Sequence, residues 1–336
     1  MLGIDIGSKS IKVIELTKSG EAWLLKSSGA VGYTGVSPDK AVNESDFTSI
    51  AEVLKKIIKQ IGITTKDVNI SLPEALAFTR VIKFPMLSDE EVSSAVKWEA
   101  EQYIPIPVNE AVVQYTILEK NQEKAFVSVL LVAAPKVVVE KYVKIIKLAG
   151  LIPVSAETEL TALSRSLSPA KGVSLLVDLG SSATDMSIVN DSNTVFTRSI
   201  PVAGEAFTRA VSQGLGVEPI QAEEYKKTYG LDSNQLEGKV KKALEPIFRV
   251  IIDEIKKAVH FYQTDEGGIA PSSIIITGGA SIMPGIVPYL TESLNIETII
   301  GNPFGKVNID AETLKQLAPY MSIYGTAVGL AMQENI

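Results

Sequence analysis

Cysteine is absent from the 336 residues and histidine occurs once, as His260. Disulfides, zinc–thiolate sites and cysteine nucleophiles are therefore excluded, and one histidine with no like neighbour in sequence reads as structural rather than metal-binding. Positive charge is not in excess. Thirty-two Lys and Arg stand against 39 Asp and Glu, a net charge of −7 with both signs interspersed, so no basic stripe argues for nucleic acid. Long apolar runs are missing as well: Val127–Pro135, bounded by Lys124 and Lys136, is far too short to span a bilayer. No signal pattern precedes the first strand, no Walker A motif occurs, and no amphipathic tail follows Met332. A soluble, cytoplasmic protein without direct membrane insertion is the expectation.

What is present is ordinary globular composition, 46% hydrophobic and 21% charged, in a chain long enough for two or more domains. Apolar alternation predicts strands at Met1–Ile6, Ser10–Leu16 and Trp23–Tyr33, the first two joined through Gly7-Ser8-Lys9. A stripe from Phe47 to Ile61 predicts a helix capped by Ser45 or Asp46 and ended by Gly62; Val68–Leu72 then reads as a strand. Residues Phe78–Gly150 read as an insertion in the order strand, helix, strand, strand, helix. Its first helix opens on the capping box Ser88-Asp89-Glu90-Glu91, and its stripe continues to Tyr103, which is expected in the core.

Near the middle of the chain the start is restated. Leu175-Leu176-Val177-Asp178-Leu179-Gly180-Ser181-Ser182 repeats Leu2-Gly3-Ile4-Asp5-Ile6-Gly7-Ser8-Lys9, each followed by an alternating strand. A repeat at half the chain length predicts two lobes of common design, not a solenoid. Glycine turns let successive N–H groups converge on an anion. An aspartate beside such a turn repels phosphate unless a cation lies between, so Asp5 and Asp178 together imply Mg²⁺ held partly through water, with Lys12 offsetting charge. A single Asp-x-Gly would be no more than a turn. Two copies, with a third strand ending in Gly278-Gly279, argue for a nucleotide site.

Asp5-Ile6-Gly7-Ser8, Asp178 to Asp185 and Ile276-Thr277-Gly278-Gly279-Ala280-Ser281 resemble the two phosphate motifs and the adenosine motif of the actin/Hsp70/sugar-kinase superfamily. Ala222 to Gly230 is similar to the purine- and ribose-contacting helix of the cell-division protein FtsA. Ser155–Leu163 and Tyr324–Ala331 sit where that superfamily places its two hinge helices. Lys97-Trp98-Glu99-Ala100-Glu101-Gln102-Tyr103-Ile104-Pro105 is similar to a segment of the PilM family of type IV pilus assembly proteins, and the likeness covers essentially the whole chain.

The resemblance implies an α/β, actin-like (ribonuclease H-like) two-lobed ATPase fold with an FtsA-type inserted subdomain. The first lobe's core would comprise 1–78, 152–171 and 324–336, with the insert at 79–151. The second lobe's core would comprise 172–202 and 272–323, with a small subdomain at 203–271. It implies ATP with Mg²⁺, phosphate contacts from Gly7, Ser8, Lys9, Lys12, Gly180, Ser181, Ser182 and Thr184, and metal held through water by Asp5 and Asp178. Gly278, Gly279 and Met283 would flank adenine, while Glu223 and Lys226 would reach sugar and base.

Glu159 falls where hydrolases of the superfamily orient the attacking water. The competing reading, a helix N-terminal carboxylate favoured by the dipole, stands slightly ahead, because Glu157 competes for the role. Lys226 and Lys227 also fit a solvated charged face. The implied partner is the N-terminal tail of a PilN-like inner-membrane protein, bound between the first core and the insert, with other pilus platform proteins beyond it and Trp98 as an anchor. The chain would thus be peripheral to the inner membrane through its partner, a scaffold with at most weak ATPase activity. A sugar or acid kinase, or an FtsA-like filament former, is the alternative.

Overall fold

The computed structural model describes residues 1–264 and 267–334; the ends of the expected 324–336 segment and residues 265–266 of the expected 203–271 subdomain lie outside the described residues. The chain opens with β1 (Leu2–Ile6), β2 (Ser10–Ser19), β3 (Ala22–Gly32), α1 (Glu44–Gln60) and β4 (Asp67–Leu72). There follow β5 (Phe78–Pro85), α2 (Asp89–Tyr103), β6 (Ala111–Asn121), β7 (Phe126–Pro135), α3 (Lys136–Leu148), β8 (Ile152–Thr158) and α4 (Glu159–Leu167). The second half runs β9 (Val173–Leu179), β10 (Thr184–Asn190), β11 (Asn193–Ile200), α5 (Gly204–Leu215), α6 (Pro219–Tyr229) and α7 (Lys239–Thr264). It ends with β12 (Ser273–Thr277), α8 (Ile286–Leu294), β13 (Glu297–Ile300), β14 (Val307–Asn308), α9 (Ala311–Leu317) and α10 (Gly325–Ala331).

The repeat seen in sequence is a repeat of sheets. One has the order β14-β3-β2-β1-β4-β8 and the other β11-β10-β9-β12-β13. In each, three antiparallel strands are continued by two parallel ones, β4 and β8 or β12 and β13. The central strands are apolar because they are covered on both faces. On the first sheet Ile4, Val13 and Ile70 pack under α1 and α3, while Ile14 and Leu16 pack on the opposite side against Phe304, Leu317 and α10. The second sheet shares one core with α5, α7 and α8 through Phe207, Phe248, Ile251 and Leu290.

Several boundaries differ from the sequence reading. The insert is the sheet β5-β7-β6 under α2, with its own core of Phe84, Val92, Val96, Val129 and Leu131. Helix α3, expected within 79–151, instead buries Tyr142, Ile145 and Ile146 beside Leu54 of α1, so it belongs to the first lobe. Likewise the chain leaves the second sheet after β13, and β14 pairs with β3, which returns part of the expected 272–323 core to the first lobe. The expected hinge helix at 155–163 begins as strand β8, and becomes α4 only after the cap Thr158, whose hydroxyl accepts from Thr161 N. Helix α1 is capped by Asn43, not Ser45 or Asp46; Asp46 supplies the reciprocal carboxylate of the box. Tyr103 is not core: it is 40% exposed, with Arg80 stacked 3.9 Å from its ring centre.

Helices α4 and α10 cross between the lobes at backbone distance. A β-carbon on Gly329 would lie 1.8 Å from the carbonyl oxygen of Ala162, so only glycine permits this approach. Arg165 of α4 ties the crossing down by donating to Gly329 O and, in a two-pronged pair, to both oxygens of Glu157 at 2.7 Å each.

Candidate functional site

The two restated hairpins face each other across a cleft of about 920 Å³, the size of a small-molecule site. Each turn closes identically, Gly7 N donating to Ser10 O and Gly180 N to Ala183 O, both at 3.1 Å. The turns come within reach across the gap: Ser8 Oγ lies 3.2 Å from Ser182 Oγ, and Lys9 pairs with Glu205 at the start of α5. Of the residues anticipated from sequence, Asp5, Gly7, Ser8, Lys9, Lys12, Glu159, Asp178, Gly180, Ser181, Ser182, Glu223, Lys226, Gly278, Gly279 and Met283 all line this cleft.

Thr184 does not. It is fully buried and its hydroxyl donates to Val202 O, so it fixes the turn instead of facing a phosphate. Its neighbour Asp185, passed over as a site residue, lines the cleft. The signal for it was the hairpin itself. A four-residue loop pairs Leu179 with Thr184 and therefore Asp178 with Asp185, putting both carboxylates on one face. Asp39 and Tyr142 also line the cleft and were missed, because neither belongs to a motif. Trp98 lies outside the cleft, on α2, and is 62% exposed. His260 is exposed on α7.

Electrostatically the floor is acidic. Asp5 is satisfied, with Oδ2 accepting from Lys12 Nζ and Oδ1 from Ser71 Oγ, both at 2.9 Å. Burial opposes the charge on Lys12, but the adjacent Asp5 outweighs it and holds the ammonium above its usual range. Asp178 and Asp185 each leave a buried Oδ1 without a hydrogen-bond partner. Burial pushes Asp178 up to about 6, with Asp5 adding repulsion, and pushes Asp185 up to about 7. Glu159 stands well above the ordinary carboxylate range through burial and then the charges of Asp5, Asp185 and Asp178; its Oε2 accepts from Glu74 N at 3.3 Å. Glu157, the rival for the water-orienting role, is committed to Arg165.

Buried polar atoms are nearly always paired, so two orphaned carboxylate oxygens beside N–H-rich turns fit a hydrated divalent cation carrying an anionic ligand. Among the described residues no group of three or more acidic or histidine side chains is gathered closely enough to hold a metal ion. Directly beside Asp178, Gly278 has φ +86°, and a β-carbon there would meet Asp178 Oδ1 at 2.1 Å. The glycine thus keeps a flat surface beside the carboxylate. Glu223 and Lys226 pair with each other, and Lys226 also donates to Gly204 O and Thr208 Oγ1. Of the two open readings, the solvated face is therefore excluded for Lys226, which is buried.

Two sheets of one topology, joined at crossed helices and closed over an acidic cleft between glycine turns, define the class as an actin-like fold of the FtsA-like branch. The pattern of the family described as Type IV pilus assembly protein PilM matches residues 3–335. The chain belongs to that family and is accordingly a type IV pilus assembly protein. It is also similar to a solved structure, the PilM–PilN type IV pilus biogenesis complex, at TM-score 0.83 and 24% identity over 98% of this chain and 97% of that one. Cell division protein FtsA of Enterococcus hirae is 22% identical over 358 aligned positions, 91% of this chain and 79% of that protein. FtsA of Pseudomonas aeruginosa is 28% identical over 178 positions, 47% of this chain and only 41% of that protein's length. Among the described residues no helix is long and apolar enough to cross a membrane.

Proposed function

We propose that the chain is a nucleotide-responsive scaffold of the pilus platform. It binds ATP with Mg²⁺ in the interlobe cleft. In a groove between the first lobe's core and the insert it holds the short cytoplasmic N-terminal tail of a PilN-like inner-membrane protein. The observation that carries the nucleotide half is the pair of unpartnered buried oxygens on Asp178 and Asp185, two residues lining a cleft whose walls are two matching glycine-serine turns. Asp178 and Asp185, with Asp5 behind them, would hold the hydrated cation, which supplies charge neutralisation for the phosphates. The turn amides and Ser8, Ser181 and Ser182 would orient the phosphates, and Gly278, Gly279 and Met283 would border the base.

Glu159 is suited to slow turnover. Its carboxyl is held above the ordinary range by burial and then by three neighbouring acids, which opposes the ionised form, and its Oε2 already accepts from Glu74 N. Ligand binding alone suffices for a switch: a nucleotide at a hundred times its dissociation constant stabilises the form that binds it by about 2.7 kcal/mol, comparable with ordinary allosteric coupling. The partner half rests on family membership and on the PilM–PilN complex as a structural relative. On this reading the protein works at the cytoplasmic side of the inner membrane through its partner, among other platform proteins. The test is titration of a synthetic PilN-type tail peptide into nucleotide-free and Mg-ATP-loaded protein. Tighter binding to one form is expected; equal affinities sink the switch.

A further inference from the structure

Glu74 is a buried acid that the nucleotide site does not use. It sits in the short helical turn Glu74–Leu76, between β4 of the first lobe and β5 of the insert, and is one of the two points where the insert is tethered. Only 4% of it is exposed. Three structural bodies meet at its carboxyl: Thr158, the cap of α4, and the Leu160 amide from the first lobe; Thr79 from the insert; and Thr197 of β11 from the second lobe. Both the turn and β5 pack directly on β11. Its backbone amide faces the other way and holds Glu159 at the cleft, 3.3 Å away, while its neighbours Pro73 and Ala75 line the cleft wall.

The junction is incompletely bonded. Glu74 Oε2 and Thr79 Oγ1 are both buried without a partner in hydrogen-bond geometry, a condition native interiors avoid unless another arrangement or a function uses it. Donor and acceptor lie on different bodies, so a small shift of β11 against the first lobe changes which of them pair. We propose that Glu74 is the relay through which the state of the cleft sets the position of the insert. Filling the cleft moves Glu159 and the second lobe, and the shared carboxyl passes that movement to Thr79 and strand β5. This rests on the nucleotide reading above and supplies its regulation. Glu74 is a positioning residue, touching neither nucleotide nor peptide.

The test is amide hydrogen exchange on the full chain, with and without Mg²⁺ and a non-hydrolysable ATP analogue, for wild type, Glu74→Gln, Thr79→Val and Thr197→Val. In wild type the analogue is expected to protect the turns at 7–10 and 180–183 and to change exchange across 78–135 by about fivefold or more, the lower end of ordinary coupling. In Glu74→Gln the turns should stay protected while the response of 78–135 disappears. The two threonine variants, milder in folding terms, should lose it in the same way. If all three variants keep the full response of the insert, Glu74 is only structural and the relay is wrong. If the wild-type turns gain no protection, the nucleotide reading itself fails and the relay goes with it. If the turns are protected and the insert never responds, the relay alone fails.

Discussion

The two hairpins that face each other across the cleft share loop length, turn closure and a leading aspartate, yet differ in the residue opposite that aspartate. Asp5 pairs across the strands with Lys12; at the equivalent place Asp178 pairs with Asp185. One half of the repeat neutralises its own charge and the other doubles it. The first half of the repeat is therefore self-sufficient, Asp5 being bonded by Lys12 of its own hairpin and by Ser71 of the adjacent β4. The second carries two buried oxygens without a hydrogen-bond partner among the described residues. Duplicate backbones have been given different work, one to support the site and one to demand a cation.

Breaking the self-sufficient half should cost most. Lys12→Met strands Asp5 as a buried, uncompensated charge, for which removal of one partner typically costs about 3–5 kcal/mol. Urea unfolding of the ligand-free protein should register it. Asp178→Asn is expected to do the opposite. Removing an unpaired buried charge should leave the ligand-free protein as stable as wild type or about 1 kcal/mol more so. Affinity for Mg-ATP, read by calorimetry, should fall about tenfold or more, equivalent to about 1.4 kcal/mol. Equal losses of stability in the two variants would erase the distinction between the hairpins.

A smaller effect is expected from pH. The folded-state pKa of Asp178 is raised from 3.8 to about 6 and that of Asp185 to about 7, so the folded protein binds more protons than the unfolded chain between those values. Stability of the ligand-free protein should fall as pH rises from about 4 through 7. A cation needs the ionised carboxylates, so the gain in melting temperature on adding Mg-ATP should grow over the upper part of the same range. Asp178→Asn should flatten the lower step of both curves.

The repeat and its chemistry were legible because they are contiguous: strand, aspartate, glycine turn, twice over. Asp185 was hidden by a choice of face. Reading Thr184 as a phosphate contact ignored the pairing that sets Asp185 beside Asp178 and turns Thr184 inward. Elements whose partners are remote in sequence were read less well. The apolar stripe of α3 is as consistent with packing on the insert as on α1, and only the tertiary arrangement selects α1. The two-residue β14 has no periodicity to detect. Glu74 carries no motif, and its place among three threonines from three bodies exists only in the fold.

The crossing of α4 and α10 bears on how such a machine is tuned. With glycine against a backbone carbonyl at Gly329, and Arg165 and Ser166 of α4 donating to the carbonyls of Gly329 and Gly325 on α10, the joint works as a pinned axle. A pinned axle keeps the two helices together, so whatever fills the gap between the lobes works on a joint whose position is already held. A methyl group at position 329 would act as a wedge in the axle, altering the set of the lobes without touching one residue of the cleft.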